Sequence, residues 1–452
     1  MMATIKGKLI DKIKDKTACI AVVGLGRVGL PTAAMFARAG YKVIGADIKK
    51  NRVQIAASPT GGQIGEPGIT EIIQESVRQK KLSATTDVTE AAKKTDVIII
   101  CVQTPVTRRK HTNLAYLERA CEAIGRGLSR RKLVIVESTV PPGTSENLIA
   151  RVLEQKSGLK CGKDFWLACC PETMAPGSFL REFVENPRII GGHNEESAYI
   201  ASELLKTVTD TEIATTDCTT AEVSKLVGNT FRDVNIAFAN ELALICEQIG
   251  VDVKEVIKLA TMHPRARNIH QPGPGVGGPC LIKDSYLLLH SVKQSKFRSR
   301  VIKSSRELNN RMPLHITKLV VRALKEVGKV PERSKVAVLG VAYKGDIDDT
   351  TASPSRKIIL EMKRLQSEIT VFDPYSNETF GARKAETIEE AVRGTDCMII
   401  ATDHRVFREI KLNSVKALMG DRPVIVDGRR ILNPEEAKKQ GFRYFGTGYI
   451  DV

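Results

Sequence analysis

The chain has 452 residues, 42% hydrophobic and 27% charged, which suits two or three globular domains and excludes a disordered or fibrous protein. Its net charge of +17 comes with only 5% aromatic residues. No stacking pattern interleaves with basic clusters such as Arg108-Arg109-Lys110 and Arg130-Arg131-Lys132, which argues against nucleic acid as a partner and fits steering of an anionic small molecule. In chain order, the charged start MMATIKGKLIDKIKDK lacks a secretory apolar core and reads as a short amphipathic helix or a frayed extension. No apolar run approaches the ~20 residues of a bilayer span, so a cytoplasmic protein without a membrane partner is expected.

ACIAVVG, Ala18 to Gly24, is a buried-strand run that ends in GLGRVG and leads into the helix-like LPTAAMFARAG. The next strand, YKVIGADI, ends at Asp47. A strand, a G-x-G-x-x-G turn, a helix and an acid about twenty positions on together point to a dinucleotide site. Gly24 permits the tight turn, Gly26 admits a pyrophosphate to the backbone, and Gly29 allows close helix–strand packing. The helix N-terminus supplies positive partial charge to the phosphates. Asp47 accepts the ribose hydroxyls and repels a 2′-phosphate, so the expected cofactor is NAD. TDVIIICVQTP (Thr95 to Pro105), KLVIVESTVPPGT (Lys132 to Thr144) and FWLACCPE (Phe165 to Glu172) continue the sheet, each apolar run delivering a polar turn to a binding edge.

Thr219 to Gly250 then reads as one long helix. Thr219 and Glu222 form a capping box, and Val223, Leu226, Val227, Val234, Phe238, Leu242, Ile245 and Ile249 an apolar face. Lys225, Asn229 and Arg232 share one side. Because the helix is apolar around much of its circumference, the Lys225–Asn229 pair is expected to face a cleft.

PGPGVGGPCLIKD, Pro272 to Asp284, presents Cys280 in glycine and proline, unlike the other cysteines. Cys19, Cys101, Cys169, Cys170 and Cys397 lie in strand-like apolar runs, and Cys121 and Cys246 in helix-like ones. No C-x-x-C pair occurs, so neither a zinc ribbon nor a thioredoxin-type motif is available; no metal is expected, and the rest read as buried thiols of a reducing compartment.

The early pattern recurs in the last third. SKVAVLGVAYKG parallels CIAVVGLGRVG, ITVFDPY parallels KVIGADI, GTDCMIIATDH parallels KTDVIIICVQTP, and RPVIVDGR parallels KLVIVEST. The fold class is therefore α/β, with two Rossmann-like doubly wound domains joined by a central helical domain with one long helix. The expected borders are 1–216 for the NAD domain, 217–315 for the central domain with the cysteine segment, and 316–452 for a second nucleotide domain. The second domain lacks the full glycine fingerprint and carries Lys344, which suits a diphosphate other than NAD.

A cysteine beside a nicotinamide indicates that an aldehyde is oxidised further: the thiolate adds to it, a second hydride leaves, and water hydrolyses the thioester. These motifs, from GLGRVGLP through QTP, ESTVPPGT, CPE, AEVSKLVGNTFRDVNIAFANELA and GGPCLIKD to VAYKGDIDDT and VDGRR, resemble the nucleotide-sugar (UDP-glucose/UDP-N-acetylmannosamine) 6-dehydrogenases over nearly the whole length. That resemblance implies oxidation of a sugar C6 alcohol to an acid with two NAD. It makes Cys280 the nucleophile, Lys225 and Asn229 the charge-stabilising pair, and Glu172 the residue for thioester hydrolysis, with Asp284 and Thr139 acting through water. It sets Arg27, Val28, Thr104, Thr139 and Lys283 beside NAD. Glu172, Lys225, Asn229, Arg232, Gly277, Lys344 and Arg429 fall around a UDP-sugar, with the glycine-segment amides lining its pocket. A homodimer through the central domain is implied.

HPRARNIHQPGPGVGG looks most like the UDP-N-acetylmannosamine branch, with His263 and Arg265 reading the acetamido neighbourhood or acting as a cap and loop tether. Thr173 after CPE, Pro279 before the cysteine and Thr351 depart from that branch's usual arginine, histidine and arginine. UDP-N-acetylglucosamine and UDP-glucose stay open as substrates. A two-electron dehydrogenase of the β-hydroxyacid type needs neither the cysteine segment nor a second nucleotide domain. A non-catalytic NAD-binding protein would not need Lys225, Asn229, Cys280 and Asp284 intact.

Overall fold

The computed structural model describes residues 2–58, 66–107, 110–175, 177–293 and 295–450; Arg108 and Arg109 of the first basic cluster lie outside them. The chain forms two compact units, Met1–Gly228 with Tyr286–Phe297, and Asn229–Ser285 with Arg298–Val452.

The first unit is built on eight strands: β1 (Cys19–Val23), β2 (Lys42–Ala46), β3 (Leu82–Thr85), β4 (Val97–Ile100), β5 (Leu133–Val136), β6 (Trp166–Cys169), β7 (Arg188–Gly192) and β8 (Ile213–Asp217). Their order is β3-β2-β1-β4-β5-β6-β7-β8, with only the β6–β7 pair antiparallel. The central strands are apolar on both faces because both are covered. Ile20, Val22, Ile99 and Ile135 enter one core, while Ala21, Val23, Ile98, Ile100, Val134 and Val136 enter the other. The N-terminal segment is a helix, Met2–Lys14, whose Leu9, Ile10 and Ile13 join the first core, and Tyr41 Oη donates to Ile13 O at 2.8 Å.

The second unit repeats the plan with β9 (Lys335–Leu339), β10 (Glu368–Phe372), β11 (Arg383–Lys384), β12 (Cys397–Ile400), β13 (Val424–Asp427), β14 (Arg443–Gly446) and β15 (Tyr449–Ile450). Their order is β11-β10-β9-β12-β13-β14-β15, parallel except for β15. The repeat reaches individual hydrogen bonds. Gly24 (φ 97°) donates to Ala46 O, and Gly340 (φ 91°) donates to Phe372 O. Asp96 accepts from Cys19 N and Lys12 Nζ; Asp396 accepts from Lys335 N and Lys329 Nζ. In both sheets the order reverses beside the first strand, the position where open α/β sheets bind ligands at the carboxyl ends of their strands.

The long helix runs Cys218–Ile249, one residue from its expected place at either end. Its cap differs from expectation. Asp217 accepts from Thr220 N at 2.8 Å and from its hydroxyl at 2.6 Å, while Glu222 turns away to accept from Gly143 N (2.6 Å) and Ser145 N (2.9 Å). The buried amides of Gly143 and Ser145 need acceptors, and Glu222 meets that need instead of closing a capping box. Of the expected apolar face, Leu226 is buried, but Val227, Phe238, Ile245 and Ile249 are 48%, 48%, 49% and 66% exposed. Cys19, Cys101 and Cys161, expected to be buried, are half-buried: Cys19 opens β1, Cys101 follows the last residue of β4, and Cys161 lies in the loop before β6.

Candidate active site

In the first unit, Gly24 sits in the left-handed region at φ 97°, and a Cβ there would come within 2.6 Å of Cys101 O. A Cβ on Gly29 would meet Gly24 O at 1.9 Å, so the helix Gly29–Arg38 starts directly on the turn. Gly26 is half-buried, Val28 stands at the helix N-cap, and Arg27 is exposed. Asp47, 5% exposed, anchors the same turn. Its Oδ2 accepts from Leu25 N at 2.8 Å and Arg52 Nη1 at 3.2 Å, and its Oδ1 from Lys49 N at 2.8 Å. The glycine cradle, the helix N-terminus and the fixed acid fit a dinucleotide. Arg52 was not visible as part of this set from the sequence, because its pairing with Asp47 depends on the turn between them.

Thr104 Oγ1 donates to Thr139 O at 2.6 Å, tying the loop after β4 to the loop after β5. Glu172, after β6, is 8% exposed, and its Oε1 has no hydrogen-bond partner among the described residues. Burial pushes its carboxyl above the usual range, with the Lys225 ammonium the largest opposing influence. Glu137, missed as a functional candidate although it stands inside ESTV, accepts from Thr32 Oγ1 (3.1 Å) and Cys101 Sγ (2.8 Å), and burial raises it too. Its signal was an acid at the end of a run otherwise wholly apolar.

In the second unit, Cys280 is half-buried and directly precedes the helix Leu281–His290; its carbonyl accepts from Lys283 N and Asp284 N, each at 3.0 Å. Asp284, 1% exposed, is clamped. Asn229 Nδ2 donates to Oδ2 at 2.6 Å and Lys283 Nζ to Oδ1 at 2.8 Å. Lys283, expected at the cofactor, is thus ion-paired to the acid one residue on. Cys280, Lys283, Asp284 and Asn229 are brought together. Arg232, His263 and Arg265 do not join their hydrogen bonds among the described residues: all three are exposed, and His263 Nδ1 caps a short turn by accepting from Arg265 N at 3.2 Å.

The glycines before Cys280 answer to a neighbour. A Cβ on Gly277 would lie 2.6 Å from Tyr343 Cβ, and one on Gly278 2.7 Å from the Tyr343 ring. Gly278 N donates to Thr351 O at 2.8 Å, so this amide is spent on docking the segment rather than on lining a sugar pocket. Thr351, a departure from the expected arginine, is that docking point, and its hydroxyl donates to Asp349 Oδ1 at 2.6 Å. Lys344 is exposed on the same loop. Arg429, on the turn after β13, donates to Ala401 O (3.2 Å) and Tyr343 O (3.0 Å). Thr173 is exposed and Pro279 half-buried.

Comparison with known proteins matches the three domains of the UDP-glucose/GDP-mannose dehydrogenase family in order: the NAD-binding domain at residues 18–209, the central domain at 219–311 and the UDP-binding domain at 337–434. UDP-N-acetyl-D-mannosamine dehydrogenase from Pyrococcus horikoshii is 43% identical over 433 residues, covering 96% of this chain and 100% of that protein. The solved structure of that archaeon's enzyme superposes with a TM-score of 0.89 at 42% identity, over 96% of this chain and 100% of that one. The NDP-N-acetyl-D-galactosaminuronic acid dehydrogenase of Methanosarcina mazei superposes with a TM-score of 0.85 at 33% identity, over 98% of each chain. Among the described residues, no helix is long and apolar enough to cross a membrane. The chain belongs to the UDP-glucose/GDP-mannose dehydrogenase family and is an NAD-dependent oxidoreductase acting on a nucleotide sugar.

Proposed function

We propose that the protein oxidises the C6 hydroxyl of UDP-N-acetyl-D-mannosamine to the uronate in two steps of two electrons, through a covalent bond to Cys280. The observation that carries the reading is Cys280 at the head of a helix, one turn before an aspartate clamped by Asn229 and Lys283. The identity of the sugar is supported by the names of the relatives.

Gly24, Gly26, Arg27, Val28, Gly29, Asp47, Thr104 and Thr139 would hold NAD, which would supply the hydride acceptor for both oxidations. Asp284, through water, takes the alcohol proton as C6 becomes an aldehyde. Cys280 Sγ then adds to the carbonyl carbon, and Lys225 and Asn229 stabilise the oxygen that gains the charge. Loss of the second hydride leaves a thioester. Glu172 takes a proton from the water that cleaves it, which frees the sulfur and releases the acid. Lys344 and Arg429 hold the nucleotide sugar, with Gly277, Arg232, His263 and Arg265 around the hexose, and Lys283 serves by fixing Asp284. The working division is 1–216, 217–315 and 316–452, and the reaction runs in the cytoplasm as a homodimer. Phe231, Phe238, Ile245 and Ile249, exposed at seven- and four-residue spacing on one helix, support a second copy as partner.

The test is NADH formed per sugar consumed, with UDP-N-acetyl-D-mannosamine, UDP-N-acetylglucosamine and UDP-glucose each limiting. Two NADH per UDP-N-acetyl-D-mannosamine are expected. One NADH per sugar would end the reaction at the aldehyde and remove the covalent role of Cys280. Two NADH with another sugar only would reassign the substrate.

A further inference from the structure

Asp47 has a counterpart in the second sheet, Asp373, at the end of β10, but its surroundings differ. Asp373 Oδ2 accepts from Val341 N (2.7 Å), Ala342 N (3.2 Å) and His404 Nε2 (3.0 Å); Oδ1 accepts from Tyr375 N and Ser376 N, each at 2.9 Å. Both oxygens are filled by the protein. Burial would raise this carboxyl, yet the His404 bond and the backbone amides hold it below its ordinary range.

His404 lies four residues beyond β12, where the first sheet carries Thr104 four residues beyond β4. It is wholly buried, against the Phe407 ring at 5.3 Å and the Tyr375 ring at 5.1 Å between centroids. Its Nδ1 accepts the Asp346 N–H at 2.9 Å, so its ring proton sits on Nε2 and points at Asp373. Asp346 has φ 60°, in the left-handed region, which aspartate enters more readily than most residues but still at a cost that the bonds around it offset. Arg405 supplies the rest of that hold, donating its backbone N to Asp346 Oδ1 at 3.0 Å and its Nε to Oδ2 at 2.7 Å. The loop fixed in this way carries Lys344, receives Arg429 at Tyr343 O, and supplies the Tyr343 surface and Thr351 carbonyl on which Gly277 and Gly278 dock.

We propose that His404 is a positioning residue for nucleotide-sugar binding: by bridging Asp373 to Asp346 N it sets the backbone of the 343–351 loop at its Lys344 end. The inference rests on Lys344 and this loop being a nucleotide-sugar contact, as proposed above. His404 touches neither substrate nor cofactor in this role.

Steady-state kinetics on the full-length enzyme test it. His404→Ala removes both bonds and is expected to raise the KM for UDP-N-acetyl-D-mannosamine about tenfold, with kcat and the NAD KM within about twofold. His404→Asn, whose Oδ1 replaces Nδ1 as acceptor for the Asp346 N–H, is expected to bring that KM back to within about threefold of the unaltered enzyme. Arg405→Ala, at a side chain 81% exposed, loosens Asp346 without opening the core; it should raise the same KM about threefold even if His404→Ala does not fold. An unchanged nucleotide-sugar KM in both alanine variants, or a parallel loss in kcat and NAD affinity, overturns the proposal. Lys344→Ala separates the two levels. A raised KM there with silent His404 and Arg405 variants removes the positioning role alone, whereas an unchanged KM in Lys344→Ala removes the substrate reading and this inference with it.

Discussion

Glu172 has one oxygen buried without a hydrogen-bond partner among the described residues, and burial makes its charged form costly, with Lys225 as the largest compensating charge. A base in that state loses its proton at higher pH than an ordinary carboxylate. Thioester hydrolysis should therefore fall away, as pH drops, at a value above the usual carboxylate range. Glu172→Gln should abolish that step while leaving the earlier ones: rapid mixing should show a burst of at most two NADH per Cys280 followed by turnover slowed about a hundredfold or more. Steady turnover at the unaltered rate would show that another group activates the water. At this scale much was readable from sequence. Cys280, Asp284 and Asn229 stood out because their residue types were unusual for their surroundings, and the structure places Asn229 and Asp284 in one hydrogen bond at 2.6 Å. The ion pair of Lys283, the role of Arg52 and the bridge at His404 were not readable, because each depends on a partner fixed only by the fold.

The long helix shows what periodicity conveys at the level of an element and where it stops. Its limits were legible from the apolar spacing and from Gly250, yet its cap was not. Glu222 was drawn to two buried amides of another loop, and Asp217, one residue before the helix, took over. Periodicity also does not say what covers an apolar stripe. Phe238 is 48% exposed and Phe231 56%, an arrangement suited to burial against another copy. Phe238→Glu is expected to turn the proposed dimer into a monomer in analytical ultracentrifugation, with little loss of monomer fold because the side chain is half outside already. A sedimentation coefficient unchanged from the unaltered protein would place the dimer contact elsewhere or remove it.

For the whole molecule, the internal repeat was the strongest sequence signal, and it carries down to paired glycine turns and to lysine–aspartate clips at Asp96 and Asp396. A strand that must be apolar on both faces leaves few choices of sequence, so two sheets of one design look alike even where their loops differ. The loops hold the difference. Among the described residues, Asp47 accepts three hydrogen bonds and Asp373 five, one of them from an interior histidine. Duplication of a scaffold therefore does not duplicate its occupancy. Isothermal titration of the purified protein should saturate at one NAD per chain, although the dinucleotide architecture is present twice; a second equivalent would mean that Asp373 gives up its partners. With both oxygens filled by the protein, Asp373 acts as an internal fastener, and the second sheet serves a different nucleotide from the first.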